Sequence, residues 1–412
     1  DGGRKTLKLD LEQAIKRALA NSEDYQIQKN EVQRRRWQHK EELSQIMPQL
    51  SGKLDWSNNF EYPDIAATAS MRDYSADGSL EVTQTFFTFG KVSNLVKAAG
   101  KTIDVSKYNE QALKQEIIYE VKLAYYRAYL AQETLQIAQE SYQRARQNKK
   151  IFQQRAAQGR ASRSDNIRLA ADIASRKPVV NNARVDYRSA LDALRVLIDA
   201  DRKTIIKLNE SNKDNYAKFE PDKMLDVLKN NQPVLKALMQ TIKTKEYLIK
   251  AKRAEYYPEV SLFANWNHSG SGNDADIGGN LYNYGTAGVQ LDIPIWTGGE
   301  TKAQLKQAQI DKKNAQLRYK RELKDYQLQL EKVLNQYFGY IKTLKANKEA
   351  VRLARESFKL SQELFATGKV SVADLNDAEL RLTNEKINKA ITEFNLRIML
   401  AKIKQLTLIN KK

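Results

Sequence analysis

Two carboxylates near the end of the chain have the spacing to act together. Asp374 and Asp377 are three positions apart, so a helix carrying them puts both on one face. Such a pair concentrates negative charge on that face. A plainer role is open to Asp374: an acid in the first turn of a helix complements the helix dipole. That role suits Asp377 less well.

The pair follows a turn whose residues occur twice. Gly159, Ser162 and Asp165 stand in the same order and spacing as Gly368, Ser371 and Asp374. Glycine takes the left-handed position that closes a helix, and Ser-x-x-Asp resembles a capping box that opens the next. An exposed cap can also be a docking surface, so the two readings are compatible. The two turns differ in charge. Arg144 to Arg168 contains eight basic residues and one acid, whereas Arg352 to Arg381 contains five of each.

No constellation supports an enzyme. There is no cysteine, which excludes disulfides, thiolate metal sites and a cysteine nucleophile, and no acyl-cysteine anchor is expected in these residues. His39 lies among charged helical residues and His268 in a Ser/Gly segment, and both read as isolated side chains, not ligands. No Ser/His/Asp pattern, P-loop or dinucleotide loop is visible, so no cofactor and no metal is expected.

The turns must be positioned by long helices. No proline lies between Pro63 and Pro178, and none follows Pro294. A helix over about 92–157 would span roughly 100 Å at ~1.5 Å per residue. Ile117, Val121, Ala124, Ala128, Ala131, Leu135, Ala138, Tyr142 and Ala145 alternate steps of four and three, a heptad seam. Tyr326, Leu330, Val333, Tyr337, Tyr340, Leu344, Asn347, Val351 and Ala354 repeat it, with Asn347 the one polar member. Return helices carry Ala183, Tyr187, Ala190, Leu194 and Leu197, then Ile387, Ile391, Phe394, Ile398 and Ala401. Pro178 predicts a kink in the first return helix alone.

Ahead of each long helix the period changes to two. Leu50, Leu54, Trp56, Phe60 and Tyr62 share a strand face, and Leu80, Val82 and Phe86 alternate on a return strand. Pro63, Asp73, Asp77 and Gly78 read as the turn between them. The second hairpin runs through Val260, Leu262, Ala264 and Trp266 and returns through Ala287, Val289, Leu291, Ile293 and Ile295, with His268 to Asp274 as its turn. Trp56, Phe60, Tyr62, Tyr74, Trp266, Tyr282 and Tyr284 suit aromatic girdles at a membrane interface, or ordinary packing in a soluble sheet.

The whole plan is written twice, at an offset of 209 or 210 residues. Ala14, Ile15, Ala18 and Asn21 fall on Met224, Leu225, Leu228 and Asn231, and Pro48, Leu50, Ser51 and Trp56 on Pro258, Val260, Ser261 and Trp266. The expected division is a first repeat over 1–198 (hairpin about 49–88, coiled coil about 92–198), a linker over 199–220, and a second repeat over 221–412 (hairpin about 259–296, coiled coil about 300–406).

Composition agrees with long, wet helices. Charged residues are 29% of the 412, and there are only 7 prolines and 17 glycines; mean hydropathy is −0.66. No apolar run is long enough for a transmembrane helix, but a membrane strand needs only about ten alternating residues. The net charge of +19 admits a soluble basic coiled-coil protein that binds nucleic acid or acidic membrane. That alternative leaves the duplicated hairpins unexplained and lacks an aromatic–basic stacking module. If the four strands lie in lipid, their open edges require oligomerisation.

On these residues the chain resembles the TolC family of outer-membrane efflux and secretion channels. The resemblance rests on Leu11 to Ile15 with Ala18, Leu19 and Asn21, on Pro48-Gln49-Leu50 and Pro258-Glu259-Val260, on the aromatic–glycine strand ends Phe87–Gly90 and Trp296–Gly299, and on the two turns. It implies a mainly α fold with a membrane β-barrel portion. Three chains would form a 12-stranded barrel continuous with an α-helical coiled-coil barrel, in the outer membrane of a Gram-negative bacterium with a long periplasmic extension. It implies a passive exit duct of a tripartite efflux pump or type I secretion system, with outer-membrane lipid, a periplasmic adaptor and an inner-membrane RND or ABC pump as partners and no nucleic acid. The gate residues so implied are Asp374 and Asp377. The adaptor-contacting tips are Gly159, Arg160, Ser162, Arg163, Asp165, Gly368, Lys369 and Ser371. Val370 stands where better-known members carry a basic gate-locking residue, which puts a latch at that position in doubt. The basic first tip is expected to dock an acidic adaptor patch or to set selectivity at the mouth.

Overall fold

The computed structural model describes residues 6–58, 73–157, 162–209, 216, 219–272 and 281–409. In chain order the elements are β1 (Thr6–Leu9), α1 (Leu11–Asn21), α2 (Glu23–Ser44), β2 (Gln49–Asn58), β3 (Tyr74–Phe87), α3 (Lys91–Ala156), α4 (Arg163–Leu197), β4 (Ile205–Leu208), α5 (Pro221–Asn231), α6 (Pro233–Ala254), β5 (Glu259–Gly272), β6 (Leu281–Asp292), α7 (Glu300–Ala366) and α8 (Val372–Thr407). The order helix, helix, strand, strand, long helix, return helix thus occurs twice. Two compact units divide the contacts. One holds residues 1–28, 110–233 and 322–412, the other 29–109 and 234–321.

In the first unit, local chemistry sets the helix ends. Asp10 opens α1 as a capping box: its Oδ1 accepts from Gln13 N at 2.7 Å, and Gln13 Oε1 accepts from Asp10 N at 3.3 Å. The segment between the repeats, expected as a linker or equatorial region over 199–220, contains β4, which pairs in parallel with β1. The two short strands and α1 close over α3 and α4 in a core of Leu9, Ala14, Ala18, Ile117, Val121, Tyr125, Leu194, Ile198 and Ile206. Tyr125 OH donates to the Asn209 carbonyl at 2.7 Å, tying the strand ends to α3. Farther along, Ala138, Val180 and Ala183 carry the α3–α4 seam, with Leu135 and Tyr142 against them. Pro178 lies inside α4, which continues on both sides of it.

The expected α8 seam is met in part: Ile398 and Ala401 are buried, Ile387 and Phe394 are half-buried, and Ile391 is 41% exposed. The buried residues also include Val372, Leu375, Glu379, Leu382, Glu393, Leu396 and Ile403. Asn347 on α7 is explained: its Nδ2 donates to Thr392 Oγ1 at 2.9 Å and to the Asn388 carbonyl at 3.3 Å.

The second unit is built on an antiparallel four-stranded sheet in the order β2-β3-β5-β6. Its strands extend into both expected turns. Asp77 and Gly78 pair with Asp55 and Leu54, and His268 to Gly272 pair with β3. Register sorts the side chains by face. One face carries Leu50, Leu54, Trp56, Leu80, Val82, Leu262, Trp266, Val289 and Leu291. The other is crossed by polar rows: Asp55–Asp77–Ser269–Tyr282, then Lys53–Ser79–Asn267–Tyr284, then Ser51–Glu81–Asn265–Thr286. Leu54 is 90% and Trp56 65% exposed, so the apolar face is uncovered in a single chain. β2 and β6 are the edges.

Candidate functional site

The second tip is set by backbone chemistry. α7 ends at Ala366, and Gly368 takes φ +80°, where an L side chain is strained. Gly368 N donates to the Phe365 carbonyl at 3.0 Å and Lys369 N to the Leu364 carbonyl at 2.9 Å, the paired bonds of a Schellman closure. Arg155, in the last turn of α3, donates from Nη1 to the same Phe365 carbonyl at 2.9 Å, and its guanidinium lies 5.0 Å from the Phe365 ring centre. A Cβ on Gly368 would stand 2.9 Å from Arg155 Nη2.

Ser371 then opens α8 with a full capping box. Asp374 N donates to Ser371 Oγ at 3.1 Å, and Asp374 Oδ2 accepts from Ser371 N at 3.1 Å and Ser371 Oγ at 2.7 Å. These bonds, the hydroxyl's first, hold the Asp374 carboxyl below its ordinary value. Asp374 therefore works as a cap and still exposes a charge. Asp377, one turn on, is exposed. Lys369 is exposed as well. Val370 packs against the apolar tip cluster of Phe152, Leu169, Phe358, Phe365, Val372 and Leu375, so an apolar contact stands at the position where a basic latch was in question.

The first tip is capped differently. Gly159 and Arg160 lie outside the described residues. Ser162 caps α4, but Ser164 N donates to its Oγ at 3.2 Å and Ser164 Oγ shares a hydrogen bond with it at 2.8 Å. Ser164 thus takes the oxygen that a capping box with Asp165 would use. Arg163 is exposed and Asp165 partly so.

Behind the tips lies a group of charges that sequence reasoning missed. Glu379 is completely buried. Its Oε1 accepts from Arg144 Nε at 3.1 Å, Arg144 Nη2 at 3.0 Å and Thr383 Oγ1 at 3.0 Å. Its Oε2 accepts from Arg176 Nη1, which also reaches Ser141 Oγ. Arg176 Nε donates to Asp172 Oδ2 at 2.9 Å, and Glu140 receives Lys386 at 2.7 Å and Arg144 at 3.5 Å. Lys386, Glu140, Arg144, Glu379, Arg176 and Asp172 form an alternating chain of three cations and three anions, joining α3, α4 and α8. The available signal was a carboxylate at helical spacing between the buried Leu375 and Leu382.

The aromatic candidates do not share a face. Trp56, Trp266 and Tyr74 lie on the apolar side, with Trp56 and Tyr74 rings 6.2 Å apart. Tyr282 and Tyr284 pair with Ser269 and Asn267 on the polar side, stacked at 6.2 Å and 17°. Tyr282 and Tyr284 thus lie off the face that carries Trp56, Trp266 and Tyr74. Phe60 and Tyr62 lie outside the described residues. Among the described residues no helix is long and apolar enough to cross a membrane, and no His, Cys, Asp and Glu cluster could hold a metal.

Comparison with known proteins decides the family. The sequence model of the outer membrane efflux protein family matches residues 14–199 and again residues 224–407. The chain belongs to the outer membrane efflux protein family. Family relatives include the alkaline protease secretion protein AprF of Pseudomonas aeruginosa, 22% identical over 82% of this chain and 71% of that protein. The cation efflux system protein CusC of Escherichia coli is 21% identical over 89% of this chain and 79% of its own length. In structure, CusC matches with a TM-score of 0.82 at 18% identity, covering 99% of this chain and 94% of that one. The Campylobacter jejuni outer membrane channel CmeC matches at 0.81 and 17%, covering 96% and 85%. The fold is that of these channels. The chain is an outer-membrane protein of efflux or secretion, and its family and relatives are transport channels, not enzymes. Membership in that family favours a transport role over nucleic-acid binding.

Proposed function

We propose that the chain is the passive exit duct of a tripartite efflux pump or type I secretion system, working as a homotrimer gated at its periplasmic end. The observation that carries this is the sheet: four strands with one apolar face, one polar face and two unpaired edges. In lipid such edges are untenable. Three copies would supply twelve strands, turning the apolar face to lipid and the polar rows to a water-filled lumen.

The exposed Asp374 and Asp377 are the gate residues, three pairs making the cation-attracting ring. The tips Ser162, Arg163 and Asp165, and Gly368, Lys369 and Ser371, with Gly159 and Arg160 beside them in sequence, meet a periplasmic adaptor, behind which stands an inner-membrane pump of RND or ABC type. The excess of positive charge at the first tip fits an acidic adaptor patch.

Planar-bilayer recording of the purified, detergent-extracted protein tests both levels. The wild type should form channels blocked by millimolar divalent cation from the periplasmic side. Asp374→Asn with Asp377→Asn should remove that block. Absence of any channel from a folded trimer would defeat the duct; unchanged block in the double variant would defeat the gate. Separately, Arg160→Glu with Arg163→Glu should weaken adaptor pull-down and export, and unchanged values would refute the basic-tip contact.

A further inference from the structure

A second basic feature lies away from both tips, in the wall of the first unit. A cavity of about 230 Å³ opens between α3 and the last turns of α8. It is lined by Lys114, Gln115, Ile118, Tyr119 and Lys122 from one helix and by Ala401, Lys404, Gln405 and Leu408 from the other. Three lysines line it and no acid does.

The lack of a counter-charge is local and has a sequence cause. α8 carries no acid after Glu393. On α3, Glu110 accepts from Tyr25 OH at 3.2 Å. Glu116 acts on Lys402 and Tyr326, and Glu120 lies in the field of Glu116 and Asp24. None of these acids lines the cavity. Lys122 and Lys404 are partly buried. Burial first, and then the charge of Lys404, pushes the Lys122 ammonium below its ordinary value. A partly buried ammonium facing a second lysine is a charge that an anion would compensate.

The contrast with a neighbouring cavity is direct. The cavity lined by Glu133, Glu140, Arg355, Lys386 and Lys389 also faces α3 and α8. There Lys386 meets Glu140 at 2.7 Å and Lys389 meets Glu393 at 3.3 Å. Both lysines of that cavity meet a carboxylate and two acids line it, whereas no acid lines the Lys114–Lys122–Lys404 cavity.

The remaining groups are donors. Lys402 Nζ donates to Gln405 Oε1 at 2.8 Å, which leaves the Gln405 amide NH2 available. Four carbonyls at the α8 terminus, which would repel an anion, are engaged. Lys404 O accepts from Leu408 N at 2.8 Å and Ile403 O from Thr407 Oγ1 at 2.7 Å. Leu406 O accepts from Gln232 Nε2 at 3.2 Å and Thr407 O from Asn231 Nδ2 at 3.4 Å.

We propose that this cavity is a binding site for an oxyanion, a phosphate or carboxylate group held by Lys114, Lys122 and Lys404 with amide donors from Gln115 and Gln405. The site stands on this unit's own geometry and does not depend on the duct or its gate. In an export protein it would offer the wall a point of contact for anionic cargo, or for an anion that stiffens α3 against α8.

The test is calorimetric titration of the detergent-solubilised full chain at low salt with inorganic phosphate, and in a second arm with succinate. The two arms separate phosphate from carboxylate recognition. Saturable binding of one anion per chain is expected in at least one arm. Lys404→Gln and Lys122→Met should each weaken it about tenfold or more, the worth of one charged hydrogen bond. Lys369→Gln at the tip should leave it unchanged. Thermal unfolding supplies the second readout: the bound anion should raise the wild-type Tm above that in chloride at equal ionic strength, and should fail to do so in Lys404→Gln. Lys122→Arg should retain binding. No saturable heat in either arm up to about 10 mM, or full binding by a folded Lys404→Gln variant, would overturn the proposal.

Discussion

Replacing Glu379 by glutamine tests whether the buried charges behind the tips hold α3, α4 and α8 together. The substitution keeps shape and removes one charge from an alternating chain of three cations and three anions, leaving a net positive charge in the interior. Breaking a buried pair by removing one partner costs about 3–5 kcal/mol. Two features reduce that figure here. Arg144 keeps Glu140 at 3.5 Å and is 16% exposed, and Arg176 keeps Asp172 at 2.9 Å. One feature adds to it: the new amide NH2 would face guanidinium donors. We expect a loss of about 2–4 kcal/mol. Hydrogen exchange on the intact detergent-extracted protein is the assay. Amides of α8 around Leu375 to Lys386 should exchange roughly 30- to 700-fold faster, at ~1.4 kcal/mol per tenfold. A companion variant separates charge from packing. Replacing the three central members of the six by apolar residues (Arg144→Met, Glu379→Leu, Arg176→Met) should restore most of the protection, because well-packed apolar side chains replace buried ion pairs at little cost. Protection of Glu379→Gln within about 0.5 kcal/mol of wild type would refute the reasoning, and so would a triple variant as damaged as the single one.

Three further outcomes follow from the geometry. Gly368→Ala forces an L side chain to φ +80° against Arg155, so it should destabilise the tip by about 1–3 kcal/mol, seen as faster exchange and proteolysis confined to the end of α7. Asn347→Leu should be neutral within ~0.5 kcal/mol or stabilising, because Thr392 keeps its own bond to the Asn388 carbonyl at 2.8 Å; a Tm fall above a few degrees would contradict this. The Asp374 cap should depend on pH. Its folded carboxyl lies below the unfolded value of about 3.9, so its contribution is complete above that value and is lost as pH falls through the depressed folded one. Exchange at the start of α8 should accelerate below about pH 4 in the wild type, and Ser371→Ala should remove that pH dependence.

Much of the architecture was legible because its determinants are local. Proline-free heptads over Lys91–Ala156 and Glu300–Ala366 leave no alternative to long helices, and alternation around Trp56 and Trp266 marks the hairpins. The failures have physical causes. Asp77, Gly78 and His268 to Gly272 read as turn residues, yet they continue the strands. A strand with one polar face can carry Asp77, Ser269 and Ser271 there and lose no burial, while Gly78, His268, Gly270 and Gly272 fall on the apolar face without ending the strands. β4 was hidden in a polar linker because a four-residue parallel strand has too few residues to show a period; its signal was the apolar-Lys-Leu triplet shared by Leu7–Leu9 and Ile206–Leu208. In α8, Ile398 and Ala401 of the expected seam are buried, but Ile391 is exposed and the buried residues also include Glu379 and Glu393. Which stripe is buried depends on how many neighbours a helix has, and a single sequence states the period without stating the neighbours.

The two tips show how a duplicated unit divides its work. At the second, Gly368, Arg155 and the Ser371–Asp374 box engage the Phe365 carbonyl and the ends of both helices, and Val370 adds apolar contact. At the first, Ser164 competes for Ser162 Oγ, and the surrounding sequence is strongly basic. The fully buried carboxylate also belongs to the second copy, and both arginines that neutralise it belong to the first. Neither copy can therefore drift alone: loss of Glu379 strands Arg144 and Arg176 with one acid each, and loss of either arginine leaves a carboxylate in the core without half its charge compensation. A charge-swapped pair tests this interdependence. Arg176→Glu alone should destabilise strongly, since it places a second carboxylate against Glu379 and Asp172. Adding Glu379→Arg should recover less than half of the loss, because Arg144 then faces a like charge at 3.0 Å. Full recovery would mean that the two arginines act separately, and the argument for a coupled chain of charges would fail.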